Sequence, residues 1–324
     1  MADTPLQFKR PNAISLARVR DRLSFLYLDK CAVIQDDNGT LARVGIDTNR
    51  ERTVYLPTAT LASLMLGPGT SLTQPAAAAL ARMGCSVSFV GSGAVRSYST
   101  FSPLAVSTRL LDRQARVVVD DEERTAAAIR MYTKRYPDAF LDVFPEDLTI
   151  EQLRGMEGVR MRASYQLESS RRRLKGWRRN DGKLGPLDPA NEALNHANTA
   201  LYGVVNAVVQ GLGMSPGLGI VHHGQRSAFV LDIADLYKTE VTIPLAFSLW
   251  KSTNAGRDAM IALRASFTLL KLVPRIVDDI YYVLDLDQAE REDKWKVEEL
   301  FLWSPEGSVE SGPNHASLPF VGDD

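Results

Sequence analysis

The 324 residues hold four histidines, and two of them, His222 and His223, stand together in G-I-V-H-H-G-Q-R-S-A-F-V-L-D-I-A-D-L-Y-K, residues 219–238. Asp232 follows ten residues after His222, and Asp235 three residues later. Both aspartates are set among Phe229, Val230, Leu231, Ile233, Ala234 and Leu236. A carboxylate in such an apolar run is costly to bury unless a basic partner, a helix N-terminus or a metal ion compensates it. If Leu231–Lys238 is helical, the two aspartates share a face. A carboxylate pair with a nearby imidazole suits Mg²⁺ or Mn²⁺. Such an ion polarises a phosphoryl oxygen and stabilises the charge that develops in phosphodiester chemistry. The same spacing also fits an N-capping Asp232 with Asp235 in the first turn, where the helix dipole favours both. Adjacent histidines do not readily reach one ion together, so His223 is expected to be peripheral.

Glu157 poses a similar choice. It lies in R-G-M-E-G-V-R-M-R, flanked by Gly155 and Gly158. Each helical glycine costs about 1 kcal/mol relative to alanine, so the pair calls for a reason, such as close approach of another helix or a ligand. The plainer account of Glu157 is a salt bridge to Arg154 or Arg160.

These residues need elements to hold them. The length suits roughly two domains of ~150 residues. Residues 22–99 read as short strands: RLSFLYL, CAVIQ, TLARVGI, TVYLP, LASLML, VSFVG and VRSYS. Asn38-Gly39 is a hairpin signal and Gly67-Pro68-Gly69 a turn. One helix interrupts them at 75–84. Beyond Pro103 the pattern turns helical: from LAVSTRLLDRQARVVV onward, about Thr149 to Leu174, 190–212, after about 231, and 257–284. GIVHHG and SAFVL are open to a short extended reading. The fold class expected is α+β. A mostly β domain (1–102) precedes an all-α domain (103–284), and an acidic tail (285–324) follows. The tail is expected to be poorly ordered, with a short helix near WKVEELFLW.

The net charge of −1 hides an asymmetry. Residues 285–324 carry a net charge of −8, which leaves +7 on the rest. Ten Lys and Arg against three acids fall between Arg154 and Lys183. A basic body with an acidic tail occurs in nucleic-acid proteins, although a solvated helix face gives the same count. Cys31 and Cys85 lack metal-ligand spacing and read as reduced thiols. The first residues lack a signal-peptide core, and no ~18-residue apolar run suggests a membrane span, so a cytoplasmic protein is expected. The sequence has no P-loop, dinucleotide fingerprint or G-x-S-x-G element, which leaves NTPase, dehydrogenase and serine-hydrolase readings unsupported.

E-Q-L-R-G-M-E-G-V-R-M-R-A-S-Y, then A-L-Y-G-V-V, then G-I-V-H-H-G followed by D-I-A-D resemble the CRISPR adaptation integrase, the endonuclease subunit that inserts new spacers. The resemblance is nearest the subtype I-E branch and covers roughly residues 15–284. It includes L-G-P-G-T at 66–70 and V-G-S-G-A-V-R at 90–96. It implies a metal site at Glu157, His222 and Asp235, with Asp232 close beside it in the catalytic set. It implies attack of a DNA 3′-hydroxyl on a phosphodiester at the repeat boundary, with Mg²⁺ or Mn²⁺ and no protein nucleophile. The implied partners are double-stranded DNA, a second copy joined through the β domain, and a small second adaptation subunit in a hetero-hexamer. Arg96, Arg160, Arg162, Arg171, Arg172, Arg173 and Lys175 are then candidates for phosphate contacts. Tyr202 aligns with a family tyrosine near the site and is read as a core aromatic. Gln225, followed by Arg226, and Leu231 depart from the basic and aromatic residues common in subtype relatives, in two slots associated with recognising the motif beside the protospacer, and Gln225 and Arg226 join the DNA-contact candidates. A structure-selective repair nuclease and a non-catalytic DNA-binding scaffold are the competing functions.

Overall fold

The computed structural model describes residues 24–45, 51–91, 97–101, 108–137, 148–180, 186–286, 301–304 and 307–310. Its first part is two small sheets. One has the order β1 (Ser24–Leu28), β5 (Leu61–Leu66), β7 (Ser86–Val90), β8 (Ser97–Phe101), parallel except for the last pair. The other has the order β4 (Arg52–Tyr55), β3 (Gly39–Val44), β2 (Cys31–Asp36), β6 (Ser71–Leu72). The β2–β3 hairpin pairs Asp36 with Gly39, so Asp37 and Asn38 form its turn. The Asp36 carboxylate fixes that turn by accepting from the N–H groups of Asn38 and Gly39.

All six residues of β5 are buried, because this strand is covered on both faces. Leu64 and Leu66 join Ala76 and Leu80 of α1 (Gln74–Arg82), whereas Met65 belongs to the helical core. The alternation follows from the two-residue period of a strand. The partner of Met65 is Gly203 in α5 (Pro189–Gly211), where a Cβ would fall 2.0 Å from the Met65 Cε.

Helix α5 is the axis of the second part. Asp188 caps it, accepting from the N–H groups of Ala190 and Asn191, and Pro189 opens it. Around it pack α6 (Ala228–Tyr237), α7 (Ile243–Ser248), α8 (Ala255–Leu269) and α9 (Leu272–Val283). On the outer side, α2 (Arg109–Val119) and α3 (Asp121–Arg135) lead to α4 (Ile150–Arg171). Asp120 separates α2 from α3 and caps α3 through the N–H of Glu123. Thr149 and Gln152 form a full capping box at the start of α4.

The α+β class and the β-then-α order are as expected; several local readings are not. SAFVL is helical from Ala228, because an apolar run this short does not distinguish strand from buried helix. The single helix expected over 257–284 breaks at Lys271, whose φ of 46° is left-handed. Phe301–Ser304, at the end of the expected tail helix, is instead a strand, paired antiparallel with Gly307–Glu310. Apart from residues 285–286, the rest of that tail, and Arg96, lie outside the described residues. Among the described residues no helix is long and apolar enough to cross a membrane.

Candidate active site

The loop between α5 and α6 carries His222, and three elements tie that loop down. Buried Gln114 of α2 donates to the carbonyls of Ser215 and Leu218 and accepts from the N–H of Ser215. Arg124 of α3 donates to the Ile220 carbonyl, 2.7 Å away. Asp232 of α6 does most. Its Oδ2 accepts from the N–H groups of Ile220 and Val221 at 2.5 and 3.2 Å, and its Oδ1 from the N–H of His222 at 3.0 Å. That same Oδ1 lies 2.7 Å from Nδ1 of the His222 ring. Gly219 permits the loop's tight path, since a Cβ there would fall 2.2 Å from the His222 carbonyl oxygen.

Asp232 is therefore not the cap of α6; Ser227 holds that position, and Asp232 is 1% exposed inside the helix. Burial raises its pKa and the hydrogen bonds from His222 and the loop amides oppose that rise. The His222 pKa is raised chiefly by the hydrogen bond to Asp232, against the opposing effect of burial. Asp235 and Glu157 add to the rise, so all three acids act on one imidazole.

Glu157 comes from the middle of α4. Tyr132 donates to its Oε2 at 3.0 Å, and Arg135 donates to its Oε1. The expected pairing with Arg154 or Arg160 is not made: the Arg160 guanidinium lies over the Tyr136 ring, 5.3 Å from its centroid. Arg135, at the end of α3, is the partner because its side chain reaches inward, where it is 4% exposed. Gly155 and Gly158 face open space, with nothing within 4 Å of an added Cβ, so among the described residues no second helix approaches there.

Asp235 faces two cations. Lys238 Nζ lies 2.5 Å from its Oδ1 and Arg135 Nη1 3.9 Å from its Oδ2. Its Oδ1 is buried without a partner in hydrogen-bonding geometry. A cavity of about 10 Å³, room for about one water, is lined by His222, Asp232, Asp235, Arg135, Tyr132 and Val221. Behind α6, Tyr237 and Lys134 both bond to buried Asp279 of α9, at 2.5 and 2.7 Å. Tyr202 packs against the helical core and lies under Lys238, 5.0 Å from its ring centroid.

The donor set fits a hard divalent cation. It offers two carboxylates with spare coordination and an imidazole whose Nδ1 is engaged, which leaves Nε2. Among the described residues no three His, Cys, Asp or Glu side chains already converge as a cage. The Arg135 guanidinium lies between Glu157 and Asp235, paired with the first and 3.9 Å from the second.

The other candidate residues lie further out. His223, Gln225 and Arg226 are exposed on the histidine loop, His223 beside a wider cleft that also holds Arg124, Thr149 and Arg154. Arg162, Arg173 and Lys175 are exposed. Arg171 is exposed as well, and it and the half-buried Arg172 both pair with buried Glu168. Sequence reasoning missed Arg135, Tyr132 and Gln114. Their only signal was polar residues on the inner face of otherwise amphipathic helices.

The protein thus joins a strand-rich first part to a helical second part, with an acid–imidazole patch where α3, α4, α6 and the histidine loop meet. Residues 133–262 match the family model for CRISPR associated protein Cas1. The chain is 34% identical to CRISPR-associated endonuclease Cas1 2 of Thermus thermophilus, over 97% of this chain and 94% of that one. It is 32% identical to the Escherichia coli K12 CRISPR-associated endonuclease Cas1, over 80% and 85% of the two chains. The solved TtCas1–DNA complex matches with a TM-score of 0.69 at 32% identity, covering 89% of this chain and 99% of that one. The chain belongs to the Cas1 family: it is an endonuclease/integrase of CRISPR spacer acquisition.

Proposed function

We propose that Glu157, His222 through Nε2, and Asp235 hold one Mg²⁺ or Mn²⁺ ion, and that the protein uses it to join protospacer 3′-hydroxyl ends to the CRISPR repeat. The observation that carries the reading is the contact of Asp232 with His222. A carboxylate bonded to Nδ1 fixes the tautomer and aims the other ring nitrogen, the usual support of a metal-bound histidine. When bound, the ion polarises the scissile phosphate and favours the nucleophilic form of the 3′-hydroxyl. Asp232 then orients the imidazole, Tyr132 steadies Glu157 through its hydroxyl, and Lys238 holds Asp235. No serine or cysteine nucleophile is called for. Mg²⁺ and Mn²⁺ suit this donor set equally.

Double-stranded DNA is the proposed substrate. Arg160, Arg162, Arg173, Lys175 and Arg226 are proposed to meet its backbone, with Arg96 alongside, and Gln225 to lie near the bases. The exposed Arg154 and the His223 side of the cleft support a strand path ending at His222. The order of the motifs supports a place nearest the subtype I-E branch, a homodimer through the β region, and a small second adaptation subunit. The reduced, buried thiols Cys31 and Cys85 are compatible with a cytoplasmic setting.

The test is strand transfer of a short duplex with free 3′-hydroxyls into a supercoiled repeat plasmid, with the small subunit and Mg²⁺ or Mn²⁺. Wild type is compared with His222→Ala and Asp235→Ala. Joining that needs metal and is lost in both variants, with DNA binding kept, supports the reading. Wild-type joining in both would return these residues to a structural role.

A further inference from the structure

Arg135 sits between two of the acids proposed to hold the ion, and of its five N–H groups few are matched by strong acceptors among the described residues. Its Nη1 donates to Glu157 Oε1 and is 3.9 Å from Asp235 Oδ2, too far for a hydrogen bond. Its Nη2 reaches the Met161 thioether at 2.9 Å, a weak acceptor, and its Nε is buried without a partner. The Tyr136 ring lies 5.0 Å from the guanidinium carbon. Among the described residues, a group with five N–H donors thus makes one strong bond.

The backbone beneath it is fixed. The Tyr136 N–H donates to the Tyr132 carbonyl at the end of α3, and neighbouring Lys134 is bonded to Asp279. The side chain can leave without moving the helix. Two carboxylates drawn into a nearly dry site require positive charge between them. A divalent ion or the guanidinium meets that need, but not both on the same oxygens.

We propose that Arg135 is the built-in counter-ion of this site: it bridges Glu157 and Asp235 while no divalent cation is bound, and a cation enters by displacing its guanidinium from Glu157. This rests on the metal-binding reading above. Arg135 is then a positioning residue that lowers metal affinity and keeps the metal-free acids from repelling each other. Lys238 stays on the other oxygen of Asp235 throughout.

The experiment measures Mn²⁺ binding to the full-length protein by electron paramagnetic resonance of the free ion, together with thermal unfolding in EDTA and in Mn²⁺. Wild type is compared with Arg135→Met, Arg135→Lys, His222→Ala and Asp235→Asn. Arg135→Met is expected to bind Mn²⁺ about tenfold or more tightly, since one charge-assisted hydrogen bond no longer has to be broken. Its metal-free form is expected to melt lower than wild type and to regain most of the loss in Mn²⁺. Arg135→Lys, which keeps the charge without the fork, is expected to fall between. Removing the charge alone would also tighten Mn²⁺ binding, so Arg135→Lys is the discriminating variant: it would match wild type if Arg135 acted only by its charge. Unchanged or weaker Mn²⁺ binding in the Arg135 variants overturns the proposal, and if Arg135→Met does not fold, Arg135→Lys alone decides. If Mn²⁺ binding also survives His222→Ala and Asp235→Asn, the metal-site reading falls with it. If those two lose binding while the Arg135 variants match wild type, only the counter-ion role falls.

Discussion

Asp232 holds His222 twice through one oxygen, accepting from its backbone N–H at 3.0 Å and meeting its ring Nδ1 at 2.7 Å. The other oxygen takes the two preceding amides of the loop. A single buried carboxylate therefore folds the loop and aims the imidazole. Asp232→Asn keeps the shape but turns an amide donor toward N–H groups. It is expected to lower stability by roughly 1–3 kcal/mol and to reduce strand transfer. Urea unfolding beside the joining assay measures both; a variant as stable as wild type would contradict the account.

Two glycines are expected to respond to alanine with opposite signs. At Gly219 the new Cβ meets the His222 carbonyl oxygen at 2.2 Å, a backbone atom with no easy retreat. Gly219→Ala should cost on the order of 1–3 kcal/mol, the usual scale of overpacking. At Gly155, in α4, a Cβ meets nothing. Gly155→Ala should add up to about 1 kcal/mol of helix propensity. Denaturation midpoints at constant m-value give the two signs.

The basic segment should divide in DNA binding. Arg162 and Lys175 are exposed, whereas Arg172 is committed to buried Glu168. Removing a phosphate contact lowers the slope of log K against log salt by ~0.9. Alanine at Arg162 or Lys175 is expected to show that drop in a salt titration of duplex binding, and alanine at Arg172 little or none. Equal drops at all three would place Arg172 on the DNA as well.

Arg275 grips Glu240 with both nitrogens, at 2.9 and 2.8 Å. That hydrogen bonding, opposed by burial, lowers the Glu240 pKa. A depressed folded pKa means stability present above the unfolded value, about 4.3 for glutamate, and lost as pH falls through the folded value. Half-exposed pairs contribute about 1 kcal/mol at most. Arg275→Gln is therefore expected to change stability little at pH 7 and to flatten its fall with acid below about pH 5, followed by urea midpoints. A steeper acid limb would run against this sign.

The sequence disclosed much of this molecule and hid a specific remainder. The hairpin at Asp36–Gly39 and the start of α4 at Thr149 were legible because turn and cap chemistry are local. Helix α6 began earlier than its pattern indicated because Ser227 makes no side-chain cap, so nothing marks the boundary. The break at Lys271 was hidden because a left-handed lysine carries no compositional signature, although Pro274 just beyond it is a clue. Glu157, His222, Asp232 and Asp235 were named from residue type and family resemblance. The role of Arg135 was out of reach, because its pairing with Glu157, 22 residues away, crosses between helices and depends on which way α3 turns.

Adjacent residues of α3 face opposite ways: Lys134 is bonded into Asp279 on α9, and Arg135 into Glu157 on α4. Its last turn is thus joined to α9 through Lys134 and to the site through the side chain of Arg135. Amide hydrogen exchange at the end of α3 and along α6 and α9 is then governed by one shared opening event rather than by fraying of separate helix ends. An opening that releases the Lys134–Asp279 contact is expected to loosen α3 and α9 together, and with them the helix that presents Arg135 to the site.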